Sequence, residues 1–282
     1  MSNSPRDLHA LGILNTTLPV VFSHASFLNA ENAQLLRSTN QYISITAESE
    51  MHYGHDHTHS HLIQDQASLG VDTHFTYSTD IITQARLWLQ NARLTLYRRA
   101  IGDWKVPANN PMSVNQAFLL ATRNGGLALK RPDLGIIAEG AKADLVIWDG
   151  RSPGMLGWDD PVAAIILHSN VGDIKHVLVD GQFKKRDGRL TISDYDSVQE
   201  RFLETARAIQ TEWKQKAYPV LEGQYPLSDY QYERVPHADT LRGVGDGYGK
   251  VFFSGLGRTC KSFGKSRFAE HFGMMWKHRD LV

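Results

Sequence analysis

Cysteine is almost missing from this sequence: one residue, Cys260, among 282. A lone thiol excludes an intramolecular disulfide framework and suits a reducing compartment. Long apolar runs are missing too. No stretch approaches the ~20 apolar residues of a membrane-spanning helix, and the polar start from Met1 to Leu8 lacks the apolar run of a secretory signal. Net charge is also absent: thirty Lys and Arg balance thirty Asp and Glu, so no long-range field draws the chain to nucleic acid or an anionic membrane. What remains, 41% hydrophobic and 21% charged residues, is an ordinary globular composition, and the expected setting is cytoplasmic.

The first half alternates short apolar runs with helical patterns. Leu18 to Phe22 reads as a buried strand ending at Ser23-His24. A helix capped by Asn29 follows, running through Leu36. Tyr42 to Ile45 is a second strand, and Ala67 to Val71 leads into or forms a third. A long helix from about Ser78 toward Arg99 presents Ile81, Ile82, Ala85, Trp88, Leu89, Ala92 and Leu96 on its apolar face. Its arginines 86, 93, 98 and 99 are expected on the solvated or interface side. Strand, loop and helix in alternation predict βα units and a parallel sheet.

The second half is built differently. After a helix from about Ser113 to Asn124, Gly125-Gly126 is expected to break the pattern. Short strands are then expected at Asp144–Trp148, Ala163–Leu167, Lys175–Val179 and Gln182–Arg186, the last two joined by a tight Asp180-Gly181 turn. An amphipathic helix follows from Ser193 or Asp194. The expected fold is thus α/β, with segments 1–132 (βα units), 133–192 (a small β-rich module), 193–234 (helix and connection) and 235–282. That last stretch holds eight glycines and eight Lys or Arg against four Asp or Glu, and reads as a loosely ordered tail.

Several residues could carry chemistry. His24 ends the first strand, and the C-terminal ends of strands in parallel barrels face the active site; a hydrogen-bonded structural histidine is the alternative. Asp72 follows the third run, where a carboxylate can ligate a metal or take the proton of an attacking water; it could equally cap the next helix. Glu50 sits in the segment Glu48 to Gly54, expected as a charged loop after the second strand. His55, His57, His59 and His61 alternate, so in an extended segment they would share one face and could gather an adventitious metal. The alternative is an exposed loop binding nothing specific. The glycines near 243–257 lack the spacing and preceding strand of a phosphate loop, and Cys260 has no motif around it.

Order and spacing carry a resemblance. The series VVFSHASFL, ISITAESEMHYGH and ASLGVDTHFTYSTDIITQARLWLQNAR is similar to the sixth, seventh and eighth βα units of metal-dependent amidohydrolases, in the branch of cytosine, guanine and adenosine-type deaminases and triazine hydrolases. LGIIAEGAKADLVIWD, DPVAAIILHS and DIKHVLVDGQ resemble that branch's C-terminal segments, which help build a small β-sandwich beside the barrel. The likeness runs from about Thr17 to Leu190.

The resemblance implies the last three βα units of an incomplete TIM-type (β/α) barrel with a β-sandwich-like module. It implies a hydrolase of non-peptide carbon–nitrogen bonds acting on a small cyclic or heteroaromatic substrate. A divalent metal, zinc in this family, is the implied cofactor. Asp72 matches the eighth-strand aspartate, a metal ligand that also shuttles the proton; His24 matches the sixth-strand histidine at the substrate or metal-bound water; Glu50 is expected to line the substrate cleft. The family's His-x-His and fifth-strand histidine have no counterpart, since only His9 precedes Thr17. Three strands would leave open sheet edges, so a missing N-terminal segment or a second copy is the expected partner. The other readings are a non-catalytic remnant and a protein that binds metal or a partner through its histidine-rich loop.

Overall fold

The structure, a computed structural model, describes residues 4–226 except 56, 58 and 75, and beyond them 229–236, 238, 240–242 and 249–251. Three strands, β1 (Val21–Ser23), β2 (Tyr42–Ile45) and β3 (Ala67–Leu69), form one parallel sheet in the order β1-β2-β3. Ser23 lies opposite Ser44 and Ile45 opposite Leu69, which aligns the three C-terminal ends. Helix α1 (Pro5–Ala10) precedes the sheet and α2 (Ala30–Ser38) crosses from β1 to β2, with the Asn29 side chain accepting from Asn32 N as expected. Buried Gln41 holds the approach to β1: its amide donates to Leu14 O, and its oxygen accepts from Val20 N.

A short helix, α3 (Ala47–His52), leaves β2 directly. This corrects the loop expected from Glu48 onward. Ala47, Glu48, Glu50 and Met51 are good helix formers, and two glutamates in the first turn suit the helix dipole. The long helix α4 (Ile81–Gly102) begins at Asp80, whose carboxylate accepts from Ile82 N and Thr83 N. Ile43 and Ile45 of β2 pack with Leu36, Trp88 and Leu89 in the core. Tyr42, Ile43 and Ile45 of β2 are buried and Ser44 is half-buried, as suits a strand covered on both faces.

Helix α5 (Val114–Ala121) ends at Thr122, and Gly125-Gly126 lie inside α6 (Arg123–Ala128), not at a break. A Cβ on Gly126 would come within 2.5 Å of Leu134 O, so glycine there answers to a passing backbone. The strand expected at Ala163–Leu167 is α7 (Pro161–Leu167). Asp160 accepts from Val162 N and Ala163 N, and Pro161 takes the first helical turn; this start signal overrides the β-branched run. Arg86 of α4 donates to Ile166 O and Ser169 O at the end of α7, and Arg93 donates to Met112 O. Neither merely faces solvent.

Strands β4 (Leu145–Trp148), β5 (Ile174–Val179), β6 (Gln182–Arg186) and β7 (Arg189–Leu190) make one antiparallel sheet in chain order. With α7 helical, the described residues of this module give a single sheet where a sandwich-like pairing was expected. The β5–β6 turn is as expected: Asp180 and Gly181 have φ of 48° and 78°, the doubly positive pair of a tight hairpin. The chain divides into two compact units, Met1–Glu200 and Arg201–Val282, and both sheets belong to the first. Helix α8 (Tyr195–Lys214) spans the expected amphipathic stretch. The second unit contains an antiparallel pair, β8 (Thr240–Arg242) with β9 (Gly249–Val251). The rest of the expected loose tail, with Cys260, lies outside the described residues. No helix among the described residues is long and apolar enough to cross a membrane.

Candidate functional site

The chain turns sharply where two strands of the parallel sheet end. His24 and Ala25, after β1, have φ of 65° and 51°, and Asp72, after β3, has φ of 61°. Left-handed backbone at non-glycine residues is strained, and such residues concentrate at functional sites. Both turns lie at the same C-terminal edge, and helix α3, leaving the end of β2, connects them. Ser49 Oγ donates to Asp72 Oδ2 at 2.6 Å. The next residue, Glu50, reaches His24: its Oε1 stands 3.3 Å from His24 Nδ1, and Thr46 Oγ1 stands 2.7 Å from the same nitrogen. His24 and Asp72, far apart in sequence, are thus linked through two adjacent residues of one helical turn.

Helix α3 is itself fixed. Glu48 accepts from Ser78 Oγ and N and from Gln84 Nε2, while Glu48 N donates to Gln84 Oε1, anchoring α3 to the start of α4. Gly70 allows β3 to pass close: a Cβ there would meet Ser44 Oγ at 2.9 Å and Thr46 Cγ2 at 3.0 Å. Tyr77 packs against His52 and Tyr53, and its phenol is pushed above its ordinary value by burial first and by Tyr53 second.

Glu50 occupies a place the sequence did not suggest. It was expected to line the substrate cleft; its side chain is 1% exposed. Its Oε1 accepts from Thr46 N at 2.9 Å, and its Oε2 pairs with His57 Nε2. His57 in turn pairs with Ser60 Oγ through Nδ1 and meets the edge of Trp88. The four alternating histidines turn to different neighbours instead of sharing a face. His55 meets His24, Phe27 and Ser26; His57 is buried; His59 donates from Nδ1 to Leu28 O; His61 lies in a 3-10 turn, Ser60–Leu62. That turn breaks the extended geometry on which the shared face depended. Reading the residues missed Thr46 and Ser49, and gave His57 only as one of four alternating histidines that could gather a metal, not as the partner of Glu50. Thr46 was within reach, because the strand-end rule that selected His24 also selects the residue after β2.

The resemblance implies zinc, and a catalytic zinc uses three protein ligands with one open position. Asp72 retains Oδ1 and His24 retains Nε2 outside the hydrogen bonds described above. These are two donors, and among the described residues no group of three His, Cys, Asp or Glu side chains could hold a metal. The described residues alone do not fit a catalytic zinc centre.

The amidohydrolase family pattern matches residues 5–184, well over half of the chain. The chain belongs to the amidohydrolase family. It is 29% identical over 212 residues to 5-methylthioadenosine/S-adenosylhomocysteine deaminase of Pyrococcus abyssi, covering 73% of this chain and 46% of that protein. It is 32% identical over 107 residues to 5'-deoxyadenosine deaminase of Methanopyrus kandleri, covering 37% of this chain and 25% of that protein. An adenosine deaminase from Xanthomonas campestris with bound zinc superposes with a TM-score of 0.63 at 18% identity, over 73% of this chain and 45% of the other. A zinc complex of atrazine chlorohydrolase from Arthrobacter aurescens superposes at 0.59 with 20% identity, over 70% and 42%. The chain therefore spans less than half the length of these relatives, and the likeness in structure is one of fold.

Proposed function

We propose that this chain carries the C-terminal part of an amidohydrolase catalytic site. The substrate class is a small heteroaromatic amine of the purine-nucleoside kind, the class named for its deaminase relatives. The observation that carries this reading is the placement of His24 and Asp72 at one edge of one parallel sheet, linked through Ser49 and Glu50. In this reading the Asp72 carboxylate takes a proton from a water adding to the sp² carbon that bears the amino group, and returns it to the departing amine. Ser49 fixes the carboxylate, and His24 Nε2 orients the water or the substrate. Residues 1–132 belong to the barrel, 133–192 to its companion module, 193–234 to a connection and 235–282 to a tail. The setting is cytoplasmic. The divalent metal of the family would need donors beyond Asp72, from a further segment or a partner chain.

The test restores those donors. The chain is produced with a segment carrying a His-x-His strand and a fifth-strand histidine, and release of ammonia from adenosine-type substrates is measured. Asp72→Asn should lower turnover by roughly 10²–10⁴-fold with folding intact, and His24→Ala by less. Equal turnover in wild type and Asp72→Asn removes the proposal. A second reading, a non-catalytic relative, is favoured by the two-donor count. Ammonia release by the unsupplemented chain, abolished by Asp72→Asn, would dismiss it.

A further inference from the structure

We infer that Glu50 is a positioning residue: its one buried carboxylate holds His24 and His57 in opposite tautomers and leaves Nε2 of His24 bare at the C-terminal edge of the parallel sheet. The inference deepens the proposed reading, but the tautomers themselves stand without it.

The argument is a count of protons and lone pairs. A carboxylate buried to 1% exposure needs donors at both oxygens. Oε1 receives Thr46 N at 2.9 Å and Thr46 Oγ1 at 3.2 Å, and lies 3.3 Å from His24 Nδ1. The Thr46 hydroxyl has one proton. If it donates to Glu50, it can only accept from His24, whose Nδ1 lies 2.7 Å away and must then carry hydrogen. If the hydroxyl proton pointed at His24 instead, a bare Nδ1 lone pair would face the oxygen of a buried carboxylate at 3.3 Å, a repulsive contact. Both lines give Nδ1–H on His24. A neutral imidazole then presents an Nε2 lone pair to the site, fit to accept a proton or a hydrogen bond.

At the other oxygen the geometry is reversed. Glu50 Oε2 meets His57 through Nε2, so that nitrogen carries the hydrogen. His57 Nδ1 accepts from Ser60 Oγ at 2.8 Å, with Ser60 fully buried. One acceptor between two imidazoles, approached through Nδ1 of one and Nε2 of the other, selects a different tautomer in each.

The experiment reads protons directly in the full chain. The thirteen histidines are labelled with 15N, and long-range 1H–15N spectra are recorded above about pH 8, where ordinary imidazoles are neutral. His24→Gln and His57→Gln assign the two residues. The expected pattern is a pyrrole-type Nδ1 with a pyridine-type Nε2 for His24, and the converse for His57. Thr46→Val keeps the backbone donor and leaves the Glu50 carboxylate 3.3 Å from His24 Nδ1, so His24 should keep Nδ1–H and His57 should stay as it was. Glu50→Gln, which adds a donor to the site, should shift both. If that variant does not fold, the wild-type spectrum and Thr46→Val still decide. A pyrrole-type Nε2 on His24, in the wild type or in Thr46→Val, overturns the inference, as does a His24 pattern unmoved by a folded Glu50→Gln. No turnover is read, so an inactive chain and a wrong tautomer are separate results.

Discussion

Two sheets of similar apolar character have opposite surroundings in this molecule. β2, Tyr-Ile-Ser-Ile, is buried at three of its four residues, while β4, Leu-Val-Ile-Trp, is buried at none. Val146 and Ile147 are 50% and 42% exposed, whereas Ile43 and Ile45 are at 0%. Side-chain type does not explain the difference; neighbours do. β2 has a strand on each side, α3 at its end, and the apolar faces of α2 and α4 packed with it in one core. That core reaches the second half of the chain through Ile166 of α7. The site residues stand on the packed sheet, where burial can hold a side chain in one geometry.

The sharpest way to break this comparison is to truncate one side chain in each region. Trp88→Ala should cost about 3–5 kcal/mol, because the ring is 1% exposed and closely packed. Ile147→Ala in β4 should cost less than about 1 kcal/mol, since much of its surface is already in water. Denaturant unfolding of both variants measures the gap, and similar losses would mean that β4 is covered in solution.

A smaller effect should come from the link between the halves. Arg86→Met leaves the carbonyls of Ile166 and Ser169 without their guanidinium donor, and an expected ~1–3 kcal/mol is lost. Asp160→Ala removes the cap of α7 for about 1 kcal/mol. Thermal melts that left either variant at the wild-type midpoint would show that α7 does not depend on these contacts.

The smallest effect is electrostatic. The guanidinium of Arg131 donates to Asp133 and holds its carboxyl well below the ordinary range, at about 2. A depressed carboxyl pKa stabilises the fold above the unfolded value, near ~3.9, and that contribution fades as pH falls toward the folded value. Carboxyl NMR titration should find Asp133 below its peers, and Arg131→Gln should return it to the usual range. At the surface of β2's region, Asp65 is lowered in the same way, chiefly by its hydrogen bond from Arg37, so Arg37→Gln should raise it.

Elements whose signals are local were legible. Asn29 as a cap, Tyr42–Ile45 as a strand, and Asp180-Gly181 as a hairpin turn each rest on a few adjacent residues. The common edge of His24 and Asp72 was legible too, because strands alternating with helices pair in parallel and align their ends. Helices α3 and α7 were misread where short apolar or charged stretches carry no clear period, and a cap or a neighbouring helix settles the outcome.

By itself the sequence determined the βα order, the amidohydrolase likeness, and which strand ends could carry chemistry, because periodicity and turn residues are encoded within a few positions. Only the tertiary structure decided that Glu50 is buried, that the alternating histidines turn to different neighbours, and that α3 joins His24 to Asp72. Those contacts bridge twenty or more residues at His24–Glu50 and Ser49–Asp72. Their formation depends on the packing of β2 and α4 around α3, and burial then forces each polar atom to find a partner that no local pattern names.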